Sequence, residues 1–253
     1  MTTDQLRAAL TFYRDLGVDE IYRRKPMEQA ILSPASGVHV SPLTIEKGVS
    51  VASVALPSLA PEGDTLLKIQ QDIGDDCRRC RLCEARSKIV FGSGDEHARL
   101  VFVGEGPGAD EDAQGFPFVG RAGQLLTQMI DNTAAKEGLT IRRPDVYICN
   151  VVKCRPPENR TPQPDEMEIC GAFLFRQLMA IRPKAICALG STAAKALLGT
   201  KEGVTRLRGR WHKWHDIPVI VTFHPSYLLR PYNQDAKKEA WEDLKKVLHF
   251  VYD

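Results

Sequence analysis

Residues 98–106 read ARLVFVGEG, a short apolar run that ends in glycine and shows no alternation of polar and apolar positions. A strand with one wet face alternates every second residue, whereas a run that is apolar throughout is covered on both faces, as in a parallel sheet. The pattern repeats outward from there. RAGQLLTQMIDNTAAKEG (121–138) has helical spacing and ends at Gly138, VYICNVV (146–152) predicts a second strand, and PDEMEICGAFLFRQLMAIRP (164–183) predicts a helix with Asp165 near its start and Pro183 just past its end. KAICALG (184–190) predicts a third strand, and STAAKALLG (191–199) a helix capped by Ser191 or Thr192 and stopped by Gly199. GRWHKWHDI (209–217) and PVIVTFHPS (218–226) predict a hairpin edge and a last core strand, and DAKKEAWEDLKKVLHFV (235–251) an amphipathic closing helix. Strand alternating with helix implies a three-layer α/β/α fold around a central, mostly parallel sheet. Ligands of such sheets bind beyond the carboxyl ends of the strands. The segments GEGPG, CN, ALGS and FHPS are therefore expected to converge on one crevice.

The chain has 253 residues, enough for one substantial core, and its 43% hydrophobic and 26% charged residues are ordinary for a globular protein. A net charge of +2 gives no global sign of a nucleic-acid partner, so any such signal must be local. No apolar run approaches the roughly 20 residues needed to span a bilayer, and the N-terminus lacks the pattern of a secretory signal. The expected setting is cytoplasmic and reducing, without a membrane partner. Leu6, Leu10, Tyr13 and Leu16 give residues 3–16 one helical face, and residues 33–64 read as an extended linker rich in Pro, Ser, Gly and Val. The expected division is an N-terminal extension over 1–65, with no assigned role or partner, and a catalytic-type domain over 66–253, expected as a monomer.

Gly104, Gly106 and Gly108 follow the first strand, but the spacing is G-x-G-x-G with Pro107 inside it, and no clear helix is predicted immediately afterwards. This does not match the dinucleotide fingerprint. Four acids, Glu105, Asp110, Glu111 and Asp112, gather there, which suits water activation or a cation better than a phosphate; by pattern alone a solvated acidic loop stands equal to a catalytic one. Asn150 lies between apolar runs and needs partners for one carbonyl and two N–H groups, either in backbone turns or on the amide edge of a ligand. His224 follows a strand and is held by Pro225. In SYLLR (226–230), apolar Tyr227, Leu228 and Leu229 stand beside Arg230, as a wedge and a phosphate contact or as a helix start whose leucines face the core.

Seven cysteines are present. Cys149 and Cys187 sit inside predicted strands and read as small core residues. The others fall in CRRCRLC (77–83) and CRPPENRTPQPDEMEIC (154–170). Clustered cysteines in a reducing compartment favour a metal over disulfides, so the two segments either close on one metal centre or contribute scattered core thiols.

GEGPGADED (104–112), GFPFVGRAGQLL (115–126), NVVKCRPPENRTPQPDE (150–166), ALGSTAAKALLG (188–199) and FHPSYLLR (223–230), in that order, resemble the family 4 uracil-DNA glycosylases, the iron–sulfur-containing branch of that superfamily. The resemblance spans about residues 75–250. It implies a 4Fe–4S cluster on Cys77, Cys80, Cys154 and Cys170; rivals are a zinc site on the same thiols and a ferredoxin-like set that uses Cys83. It implies Phe118 as the ring under uracil, Asn150 as reader of its amide edge, and Gly104 and Gly106 as backbone bordering the base. It further implies His224 as donor to uracil O2, with Glu105 and Glu111 as candidates for positioning water. Uracil-containing DNA would be the partner, held through Lys153, Arg155, Arg160, Ser226, Leu229 and Arg230. The reaction would be hydrolysis of the N-glycosidic bond in single- and double-stranded DNA. The alternative from another class is an iron–sulfur DNA-binding protein or redox sensor without turnover.

Overall fold

The computed structural model describes residue 61 and residues 63–230 and 232–253. The helix expected over 3–16 and nearly all of the expected linker lie outside the described residues. The last linker residue, Asp64, does not behave as linker: its carboxylate is buried against Arg176.

Six strands form one sheet in the order β1-β3-β2-β4-β6-β5. These are β1 (Ser93–Gly94), β2 (Leu100–Gly104), β3 (Tyr147–Asn150), β4 (Ala185–Leu189), β5 (Trp211–Trp214) and β6 (Ile217–Thr222). The four central strands run parallel, and β1 and β5 are antiparallel edges. The apolar run 98–106 thus occupies the middle of the sheet. Its side chains alternate between two covered faces. Leu100 and Phe102 pack with Leu126 and Ile130 of α3 (Arg121–Lys136) and Leu244, Val247 and Leu248 of α8 (Gln234–Tyr252). Val101 and Val103 pack with Ile69 of α1 (Leu66–Ile73), Leu174 and Leu178 of α4 (Pro164–Ile181) and Ala193 and Leu197 of α5 (Ser191–Leu198). The three-layer expectation is met, and the hairpin over 209–217 is the β5–β6 edge.

Two local expectations are corrected. A short helix, α2 (Ala109–Gln114), follows the glycine-rich turn after all. Its first turn holds Asp110, Glu111 and Asp112, so the acidic cluster is in part the complement of a helix N-terminus. The cap of α5 is Gly190, not Ser191 or Thr192. Gly190 has φ +92°, and a Cβ there would lie 3.1 Å from the Cβ of His224. The remaining helices, α6 (Val204–Leu207) and α7 (Pro225–Leu228), are single turns. Among the described residues no helix is long and apolar enough to cross a membrane.

Connectivity places the crevice. β2 leads to β3 on one side, whereas β4 leads to β6 on the other, so the switch point lies between the carboxyl ends of β2 and β4. α1 is locked to α4 by Arg176, whose Nε donates to Asp64 at 2.7 Å and whose Nη2 donates to Asp72 at 2.6 Å. Removing one partner of a buried ion pair leaves the other without compensation and costs about 3–5 kcal/mol. Arg176→Leu should therefore lower unfolding stability by an amount in that range, measured in urea. Asp64→Asn in the same chain should recover part of the loss, because Asp64 is the partner with almost no exposure.

Candidate active site

At the switch point a cavity of about 330 Å³ is lined by all four strand-end segments, including Glu105, Gly106, Asn150, Gly190, Ser191, His224 and Ser226. Glu111 and Phe118 complete one wall, and Pro156, Asn159 and Arg160 another. The convergence anticipated from strand alternation is what the fold produces.

Crowding shapes the floor. A Cβ on Gly104 would stand 2.4 Å from Asn150 Oδ1 and 2.7 Å from the Phe118 ring. Only a residue without a side chain lets amide and ring approach the end of β2 so closely. Asn150 is 1% exposed, and among the described residues its Oδ1 has no hydrogen-bond partner. A buried acceptor left unpaired costs free energy unless a ligand meets it. Phe118 has φ +55°, a conformation that costs a bulky residue on the order of 1–3 kcal/mol. Three bonds hold it there. Val119 N–H and Gly120 N–H each donate to Glu111 Oε1 at 2.9 Å, and Arg143 Nη2 donates to the carbonyl of Pro117 at 2.8 Å.

Glu111 Oε2 in turn accepts from Gly108 N–H at 3.1 Å. Its carboxylate therefore ties the glycine-rich turn to the Phe118 loop, with three backbone donors on two oxygens. Asp112 is buried and accepts from the N–H groups of Ser87 and Lys88. Glu105 also lines the cavity, but its Oε2 accepts from a side chain, the hydroxyl of Thr192. The sequence offered Thr192 only as a helix cap. Its real partner lies 87 positions away, so no local signal could have found it.

His224 sits 5.6 Å, centroid to centroid, from the Phe118 ring. Its Nδ1 accepts from Ser226 N–H at 3.2 Å and lies 2.8 Å from Ser226 Oγ. A ring nitrogen that accepts a backbone N–H carries no proton, which leaves the proton on Nε2. The ring is only partly covered from solvent. Even so, loss of solvation among the protein atoms around it lowers its pKa to about 4, against a smaller upward pull from Glu111. At neutral pH His224 is an uncharged Nε2–H donor.

The expected DNA-binding residues separate. Arg155 donates to Asn159 Oδ1 at 2.8 Å, and Arg160 pairs with buried Glu166 through two bonds at 2.8 and 2.6 Å. Ser226 and Arg230 are exposed and Leu229 is partly so, while Leu228 is buried. SYLLR forms a helical turn with one core leucine, Leu228, and an outward face of Ser226, Tyr227 and Arg230. Lys153 is a correction. It is 1% exposed, and its Nζ donates to the Asn150 carbonyl at 2.8 Å and to Gln177 Oε1 at 2.6 Å, so it cannot reach a phosphate.

Cys77, Cys80, Cys154 and Cys170 line one recess with Ile73, Ile89, Ile169 and Phe173. Cys83 is not among its lining residues. Among the described residues no three His, Cys, Asp or Glu side chains are grouped closely enough to hold a single ion. N–H donors face three of the four sulfurs: Arg79 Nη1 to Cys77 at 3.5 Å, Arg86 Nη1 to Cys154 at 3.7 Å and Lys153 N to Cys170 at 3.2 Å. Burial pushes the Cys154 thiol up to about 12 and the Cys170 thiol up to about 11. Four soft donors in one recess, met by N–H groups and not grouped for a single ion, suit the thiolates of a multi-iron cluster better than one zinc. Cys149 and Cys187 are fully buried in strands, as the sequence implied.

A family model described as the uracil DNA glycosylase superfamily matches residues 91–245. Among curated proteins, the type-4 uracil-DNA glycosylase of Thermotoga maritima is 46% identical over 74% of this chain and 96% of its own length. That of Archaeoglobus fulgidus is 44% identical over 68% of this chain and 86% of its own. A type-5 uracil-DNA glycosylase of Pyrobaculum aerophilum is more distant, at 31% identity over 61% of this chain and 71% of its own.

Folding lowers the His224 pKa from 6.5 to about 4, so as acid is added the unfolded chain binds this proton first. The stability contributed by the neutral ring is complete above about 6.5 and is lost as pH falls towards 4. Nitrogen chemical shifts of ring-labelled protein should show a neutral Nε2–H tautomer from pH 8 down to 5. An inflection near 6.5 in the folded protein would contradict the desolvated site.

Proposed function

The chain belongs to the uracil DNA glycosylase superfamily, within its type-4 branch, and from that premise we infer that it is a DNA-repair hydrolase that releases uracil from DNA and leaves an abasic site. One observation carries the assignment of roles: the buried Oδ1 of Asn150, without a partner among the described residues, beside a strained Phe118 and a neutral His224. A glycosylase acts on a base taken out of the stack and bound in a tight pocket. In the proposed complex Phe118 stacks on uracil, Asn150 Oδ1 accepts N3–H and its NH₂ donates to O4. Cytosine presents the opposite polarity at that edge, so its amino group would face the Asn150 donor and both groups would be left unpaired.

The C1′–N1 bond breaks with its electron pair moving onto the uracil ring, and negative charge builds on O2. His224 Nε2–H donates to that oxygen. The neutral ring spends no proton, so the leaving group departs as a stabilised anion. Glu105, held by Thr192, accepts a proton from the water that adds to C1′ and faces the positive charge developing on the sugar. The three backbone N–H bonds on Glu111 support a different role, in which it holds the Phe118 loop and the turn that borders the base. The labour between the two glutamates is divided accordingly.

Cys77, Cys80, Cys154 and Cys170 would hold the 4Fe–4S cluster, which supplies iron–thiolate links between the start and the middle of the domain. Glycosidic hydrolysis moves no electrons, so no catalytic step calls on it. Single- and double-stranded DNA would lie across the cavity mouth, with Arg155, Arg160, Ser226 and Arg230 at phosphates and Leu229 against the stack; Lys153 is excluded from that set by its burial.

Uracil release from a single-uracil oligonucleotide, read as cleavage at the abasic site on a gel, tests the activity. Wild type should turn over, and His224→Ala should lose about 10²–10³-fold in rate, the magnitude for one oxyanion donor, while binding DNA normally. No release by iron-loaded wild type would remove the functional reading. Metal analysis tests the ligand set: Cys154→Ser should lose iron and Cys83→Ser should retain it. Four zinc-bound thiols, or iron loss in the Cys83 variant, would assign the centre differently.

A further inference from the structure

Lys153 is fully buried, yet among the described residues none of its hydrogen-bond partners is a carboxylate. Its Nζ is shared between the backbone carbonyl of Asn150 and Gln177 Oε1, and its own backbone N–H donates to Cys170 Sγ. Gln177 is fixed in turn, because its Nε2 donates to the Phe91 carbonyl at 3.1 Å and to the Tyr147 hydroxyl at 3.2 Å. Lys153 also lines the recess of the four cysteines and directly precedes Cys154. One residue therefore touches both the sulfur centre and the residue that presents the amide edge of the base pocket.

A buried polar group is costly unless hydrogen-bond partners answer it. Two carbonyl-type acceptors answer the Lys153 Nζ. Its two ends reach two sites: Nζ meets the Asn150 carbonyl, and the backbone N–H meets Cys170 Sγ in the recess of the four cysteines. That bridge ties the last residue of β3 to the recess. Holding the carbonyl fixes the backbone from which Asn150 enters the cavity.

Resting on the glycosylase reading above, we propose that Lys153 is a positioning residue that couples the cysteine centre to uracil recognition by Asn150. Coupling between two sites is reciprocal. An intact centre tightens uracil binding, and bound uracil protects the centre.

The test uses iron-loaded wild type, Lys153→Met, which keeps the length without charge or donor, and Lys153→Gln, which keeps a neutral donor. Each is matched for iron content. The inhibition constant for free uracil is measured, together with kcat, KM and affinity for a uracil-free single strand. Uracil binding by Lys153→Met should weaken about tenfold, within the usual range of a coupling of this kind, with affinity for the uracil-free strand unchanged and Lys153→Gln in between. An inhibition constant does not depend on the fraction of folded enzyme, so a merely structural lysine would leave it at the wild-type value, and that result overturns the proposal. In the second arm, iron loss to a chelator is followed with and without saturating uracil. Uracil should slow the loss in wild type and not in Lys153→Met. Equal protection in both, or none in wild type, overturns the coupling. Failure of both variants to fold with iron bound would assign Lys153 to stability alone and also overturn it. A wild type that releases no uracil would instead remove the functional reading, which keeps the two failures apart.

Discussion

At the end of β2 three groups compete for one small volume: the backbone of Gly104, the amide of Asn150 and the ring of Phe118. A methyl group on Gly104 would fall 2.4 Å from the amide oxygen and 2.7 Å from the ring, so the strand must end in a residue without a side chain. The parallel register sets this conjunction, because it pairs Gly104 with Asn150 across β2 and β3. The ring arrives by a separate route, on a loop whose positive φ is held by Glu111 and Arg143. Sheet, turn and loop are thereby locked together, and the cavity is the space that remains.

Charge in this cavity is controlled more tightly than a cluster of acids and a histidine suggests. Asp112 and Glu111 are consumed by backbone N–H groups, and Asp110 is exposed outside the cavity lining, which leaves Glu105 as the acid with a role in the cavity. Desolvation keeps His224 neutral, and its Ser226 bond fixes the tautomer. A neutral donor stabilises charge as it forms on a leaving group without first attracting an anion to the empty site. The four acids of one short segment thus divide into helix-terminus complement, loop clamp and candidate catalyst. Only their partners tell them apart.

Lys153 lines the recess of the four cysteines and bonds the carbonyl of Asn150, which lines the cavity. This gives the proline-rich stretch 154–170 a physical rationale. It brings two thiols back towards the strand that ends in Asn150, and Arg160, held by Glu166, keeps the same stretch against the cavity wall.

Much of this was legible in the order of residues. Unbroken apolar runs fixed the parallel, doubly covered strands, because a strand buried on both faces has no polar positions to alternate. Helical spacing, Gly138 and Pro183 bounded the helices, and strand-end placement singled out Asn150 and His224. The short helix after the glycine turn escaped, since its acids read equally as a solvated loop. Lys153 misled for a related reason: beside Arg155 in sequence it looks like part of a basic patch, while its burial depends on how β3 packs on α4. What the tertiary structure alone decided was partnership at long range: Thr192 on Glu105 and Asp112 on the 87–88 backbone. The Lys153 Nζ between Asn150 and Gln177 belongs to the same class. Periodicity records which face of an element is covered, but hydrogen bonds between elements follow from distances that exist only once the layers have closed.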